Sequence, residues 1–158
     1  FLIIWYRLPG LVASIALISY IILSLAIFKL IPVTLTAAGL AGFILSIGIA
    51  VDANVLIFER TREELSYGKG ALKSIKEGFR RAWPSIRDGH VSTLITTIIL
   101  MGLGTGFVKG FAVILALGVL FSLFTAIVLV RITIDALSGE WMEKYPHLLV
   151  SHKKKLED

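Results

Sequence analysis

Apolar residues in this chain come in long runs parted by short polar clusters, and the run lengths are those of membrane helices. Roughly 20 mainly apolar residues cross a hydrocarbon core of about 30 Å. Residues 11–31, LVASIALISYIILSLAIFKLI, form one such run, with Lys29 near its end, where it can snorkel, and Pro32 to stop the helix. Residues 34–58 form a second, with Thr34 or Thr36 available as N-cap. Residues 107–130 form another. Residues 85–104 are the least apolar, because Arg87, Asp88 and His90 precede the core VSTLITTIILMGLG, and loop parity requires them to cross. Residues 1–6 read as the last turns of a preceding membrane helix, with the R-L-P-G turn after them and no initiator Met or cleavage site. The pattern predicts an all-α membrane bundle: four full spans plus the end of an earlier one.

The polar connector, residues 59–88, is itself patterned. Leu72, Ile75, Phe79, Trp83 and Ile86 recur on one helical stripe, flanked by Lys69, Lys73, Lys76 and Arg80. Such an amphipathic helix suits either the lipid headgroup surface or the cytoplasmic surface of a partner protein. Composition agrees with a membrane protein: 56% of the 158 residues are hydrophobic, 17% are charged, and mean hydropathy is +0.87. A net charge of +5 could suggest a nucleic-acid partner. Its distribution explains it otherwise. Arg7, the connector and residues 131–158 hold 14 of the 16 Lys and Arg, and all fall on one side of the predicted topology. Lys29 and Lys109 alone fall on the other. The positive-inside rule makes the rich side cytoplasmic, so residues 59–84 and the tail, 131–158, are expected inside. No nucleic-acid partner is then required.

Against this background Asp52 stands out. It lies in GIAVDANVLIFER, six residues before Phe58, about 9 Å inside its span. It is the only acidic residue in the interior of any predicted span. An ionised carboxylate at a helix centre costs roughly 2.5–3.5 kcal/mol on insertion scales. Three readings compete: a hydrogen-bonding Asp that holds helices together, an ion ligand with Asn54 as its nearest second donor, or a proton-carrying carboxylate in a protein-lined path. The surrounding helix favours the last. Ala41, Leu45, Gly48 and Asp52 share one stripe that continues to Glu59 and Glu63, and Gly48 leaves room for a neighbour or water. A second stripe of small residues, Ala38, Gly42, Ser46 and Ala50, allows close helix packing. For Glu59 and Glu63 a solvated helix end is the simpler account. His90 is expected at a membrane edge and Arg131 at the end of the last span. Asp52 therefore either stays protonated or meets a cation from another chain.

Other chemistry is not signalled. GLGTGFVKG at 102–110 lacks the G-K-[ST] of a phosphate loop and follows no strand, so it reads as a tight turn between helices. There is no H-E-x-x-H, no nucleophile elbow and no cysteine. Neither enzymatic catalysis, a metal site nor a cofactor is expected, and a proton gradient is the expected energy source.

GIAVDANVLIFERTREEL resembles the fourth-helix signature of SecD, the membrane subunit of the bacterial SecDF protein-export complex in the RND superfamily. YRLPG at 6–10, IRDGHVSTLI at 86–95 and GTGFVKGFAV at 104–113 resemble the same family in the same order. The resemblance runs from Phe1 to about Leu137. It departs at Thr61, where Ile is usual, and at His90 and Ser92, where Asn and Thr are usual. It implies a piece of a six-helix RND-type bundle lacking a large extracytoplasmic domain, in a multi-pass protein of the bacterial inner membrane. It also implies use of the proton-motive force to aid preprotein movement through SecYEG, with SecF, and YajC beside them, as partners. Asp52 matches the family's proposed proton carrier, which faces SecF. Gly48, Asn54, Glu59, Asp88 and Thr93 are its expected supporting positions. The rival readings are a small-molecule RND exporter and a membrane scaffold that moves no proton.

Overall fold

A computed structural model describes residues 2–31 and 36–137, with side chains placed between 10 and 128 apart from 12 and 32–35. Four helices occupy them: α1 (Leu2–Leu30), α2 (Ala37–Ser66), α3 (Ala71–Leu103) and α4 (Gly106–Leu137). There are no strands among the described residues. Pro32, Thr34 and the tail after Leu137 lie outside the described residues. Thr36 is the N-cap of α2, its Oγ1 accepting the Gly39 N–H at 3.2 Å.

Helices α2 and α4 run parallel and form the centre of the bundle, with α1 and α3 antiparallel to them on the two flanks. The small-residue stripe of α2 makes this possible. Ala38, Gly42, Ser46 and Ala50 are all buried. A Cβ built at Gly42 would lie 2.7 Å from the Phe111 carbonyl oxygen, and one at Gly118 would lie 2.4 Å from Ser46 Cβ. On the α1 side the Tyr20 hydroxyl reaches both Ser46 Oγ at 2.8 Å and the Gly118 carbonyl at 3.2 Å, while Phe28 meets Phe43 edge-on at 5.5 Å. On the α3 side Ala53, Ile57, Ala82, Ile86 and Ala126 close a second core.

The helices are longer than the spans expected from hydropathy. α2 continues through Glu59 to Ser66, and α3 joins the connector and the following span in one helix through Pro84. A proline removes one backbone hydrogen bond, and the stripe of α3 keeps its helical period on both sides of it. α1 likewise passes through 7–10, where a turn was predicted. Pro9 costs that helix the bond to the Trp5 carbonyl, a loss that membrane helices absorb. Three helices, Ala13–Leu30, Ala37–Ser66 and Gly106–Val128, are long and apolar enough to cross a membrane, whereas α3 is not apolar enough by the same measure.

The connector stripe is packed inward. Ile75 and Ile86 are buried, and Phe79 packs on the core that α2, α3 and α4 share. Of the basic flank, Lys73 and Lys76 are exposed, Arg80 pairs with Glu77 at 2.7 Å, and Lys69 bonds to Glu64. Glu64 was not singled out by the sequence. Its side chain is 3% exposed and also bonds Arg81 at 2.5 Å, which pins the 67–70 loop to both helices. That hydrogen bond holds the Arg81 guanidinium even further above its already high range, so Arg81 keeps its charge.

Candidate functional site

Asp52 lies where α2 and α3 part to form an open groove of about 250 Å³. Ile49, Asp52, Ala53 and Leu56 line it from α2, a spacing that one helical face dictates. From α3 come Ser85, Ile86, Gly89, His90 and Thr93, again one face. Because the hairpin is antiparallel, residues at equal distance from the 67–70 loop meet across it. Gly78 packs on Thr61, and Ile86 shares a core with Ala53. His90 thus arrives beside the turn of α2 that carries Ile49 and Asp52.

The groove opens outward. Ala41, Leu45, Gly48 and Asp52 are all exposed, and a Cβ at Gly48 would meet nothing within 4 Å. Leu45, on the Asp52 stripe of α2, is an exposed large apolar side chain there, and Leu40, Ile44, Val91, Ile95 and Ile98 are exposed elsewhere on α2 and α3. Among the described residues none hydrogen-bonds or ion-pairs with the Asp52 carboxylate. A carboxylate that held the helices of this chain together would have such a partner.

The expected supporting residues divide. Thr93 lines the groove, its hydroxyl donating to the Gly89 carbonyl at 2.9 Å. Gly48 is on the open face beside it. Asn54 is 3% exposed and does not line the groove, and its Oδ1 has no hydrogen-bond partner among the described residues. Asp52 and Asn54 therefore do not converge as ligands, because two residues apart on a helix means about 200° of rotation. Glu59 approaches Arg62 at 3.9 Å, Glu63 pairs with Arg60 at 2.8 Å, and Asp88 is exposed and pairs with Arg87 at 2.9 Å. These three belong to charged helix surfaces. No group of three His, Cys, Asp or Glu able to hold a metal ion occurs among the described residues.

His90 joins the site although it was not among its expected supporting positions. It is 4% exposed and walls the groove of Asp52. Its Nδ1 lies 2.7 Å from the Ile86 carbonyl, and its Nε2 lies 3.1 Å from Ser122 Oγ on α4. Asp52 thus shares its groove with a second titratable side chain of this same chain. The signal was available in the hairpin register, but it requires α3 to be read as one helix.

The MMPL family model matches residues 3–157. The chain is 57% identical over 135 residues to the protein translocase subunit SecD of Thermobaculum terrenum, covering 83% of this chain and 26% of that protein. It is 59% identical over 127 residues to SecD of Synechocystis, covering 80% of this chain and 27% of that protein. It thus spans about a quarter of the length of these relatives. Among solved structures it resembles SecDF of Thermus thermophilus, described as a translocon-associated membrane protein, with a TM-score of 0.81 and 42% identity over 86% of this chain and 19% of that one. A super-membrane-facing form of SecDF gives a TM-score of 0.80 at 41% identity, covering 85% of this chain and 19% of that one.

Proposed function

This chain belongs to the MMPL family and is an integral membrane protein matching the membrane part of SecD, and from that premise we propose that it is the proton-handling bundle of a subunit assisting Sec protein translocation. The observation that carries the reading is the position of Asp52. It is the one acidic side chain of the predicted span interiors, and it stands in a groove that opens on an uncovered apolar surface. A second membrane bundle laid on that surface would turn the groove into a protein-lined path. Its walls would set whether the carboxylate is charged. SecF is the proposed occupant, with SecYEG, YajC and a preprotein as the further partners of the whole assembly. The proton gradient is the proposed energy source, and the bacterial inner membrane the location.

In such a bundle the carboxyl of Asp52 takes up a proton from one side and releases it to the other. Its two forms differ by a full charge, so each favours a different closure of the surrounding helices. The bundle couples proton flow to movement in that way. Export into inverted vesicles carrying the full-length protein should be stimulated by a proton gradient and lose that stimulation when a protonophore collapses it. Stimulation that survives the protonophore would overturn proton coupling.

The proposed topology has α3 as a fourth crossing and residues 59–84 and 131–158 in the cytoplasm. It is supported by the bundle's polarity. The N-terminus of α2 and that of α4 share one end, where a Cβ at Gly110 would lie 3.4 Å from Thr36 Oγ1, and the 67–70 loop with its basic neighbours lies at the other. In the cysteine-free chain, Ser66→Cys should react with an impermeant thiol reagent only in inverted vesicles. Labelling from the outside of intact cells would reverse the whole assignment.

A further inference from the structure

Two titratable side chains line the groove, and they are Asp52 and His90. The hydrogen bonds of His90 define its resting form. A carbonyl oxygen only accepts, so Nδ1, at 2.7 Å from the Ile86 carbonyl, carries a proton. Nε2 of the neutral ring then accepts the Ser122 hydroxyl at 3.1 Å. Serine is a two-way partner. With its hydroxyl turned, the same oxygen accepts from a protonated Nε2, so the ring can take a second proton without giving up either contact. Asparagine, the residue usual at this position in the resembling family, has no such capacity.

The groups facing His90 are few. From α2 the groove presents Asp52, and from α4 Ser122 contacts the ring. On α3 itself the nearest charged residues, Arg87 and Asp88, are exposed and paired with each other. Asp52 is therefore the acidic side chain that shares the groove with His90.

We propose that His90 shares the proton of Asp52, so that the groove holds an aspartic acid with a neutral imidazole in one state and a carboxylate with an imidazolium in the other. In the transfer the O–H bond of Asp52 breaks and an N–H bond forms at Nε2, and the net charge of the groove does not change. A groove of about 250 Å³ has room for several waters, at about 30 Å³ each, to carry the proton between the two. Beneath the partner bundle proposed to cover the groove, ionising Asp52 then no longer leaves an isolated anion, which is the state that costs most. His90 is a positioning residue in this sense. It sets when Asp52 can lose its proton, and it rests on the proposed proton-handling role of Asp52.

The test is 15N NMR of the His90 imidazole in the full-length protein in lipid bilayers, its signal identified by its loss in His90→Asn. The ring should gain its second proton at Nε2 as the pH falls. Because an opposite charge favours the imidazolium, Asp52→Asn should lower its midpoint by about one unit or more, and Asp52→Glu should largely restore it. A ring that stays in the neutral Nδ1–H form throughout, or a midpoint indifferent to Asp52→Asn, would overturn the proposal. A histidine that merely bridges α3 to α4 would behave in that second way. Export measured on the same variants separates the two readings. Lost gradient stimulation in Asp52→Asn with an indifferent His90 sinks the shared proton and keeps the proposed function. A coupled pair with export unaffected does the reverse.

Discussion

Asp52→Asn is expected to reduce gradient-driven export to its gradient-free rate while the protein still inserts and assembles. The amide keeps the size of the carboxyl and can hydrogen-bond, but it cannot alternate between charged and neutral forms. Asp52→Glu keeps an acid and moves it by about one bond length, so part of the stimulation should remain. The competing account makes opposite predictions. If Asp52 only bonded helices together, asparagine would serve nearly as well, because a neutral amide also hydrogen-bonds between helices in lipid. The geometry gives little support to that account, since no described residue of this chain bonds the carboxylate and its face is uncovered. The measurement is translocation into inverted vesicles with and without a proton gradient, at matched protein levels. Full stimulation in the asparagine variant would end the carrier reading.

The largest loss of stability outside the groove should come from Gly78→Ala. A Cβ built there would lie 2.6 Å from the Thr61 backbone nitrogen and 2.7 Å from its Cα. Backbone atoms cannot rotate aside, so the two helices must part, and overpacking of this kind costs about 1–3 kcal/mol. Thr61 is held as well, its hydroxyl donating to the Ile57 carbonyl at 2.8 Å. Because Ile86 meets Ala53 only two turns further along, the separation should reach the groove and weaken gradient-driven export too. Gly102→Ala is the control. Nothing lies within 4 Å of its added methyl, and alanine favours a helix by about 1 kcal/mol over glycine. Thermal unfolding in detergent and proteolysis at the 67–70 loop would compare the two. Equal stability of both variants would show that the hairpin is not packed as described.

Much of this molecule was legible from the run lengths and residue types alone. Apolar length identified the membrane helices, because the hydrocarbon thickness is fixed and the rise per residue is constant. The stripe Ala38, Gly42, Ser46 and Ala50 identified the face of α2 that another helix would approach, and α4 occupies it. Asp52 was legible because the cost of a charge in lipid does not depend on the fold. The neighbours were not legible. Hydropathy sees where a segment leaves the hydrocarbon but not whether its backbone stops being helical, so span bounds at Phe58 and residue 85 do not say that α2 runs on to Ser66 or that α3 is one helix from Ala71. That continuation is what sets the register of the hairpin. It brings His90 to the wall beside Asp52, buries Glu64 between Lys69 and Arg81, and turns Ile75 and Ile86 inward on the bundle. The identity and depth of a single group follow from local composition and helix geometry. Which two groups share a cavity depends on the packing of separate helices, and only the tertiary structure decided that.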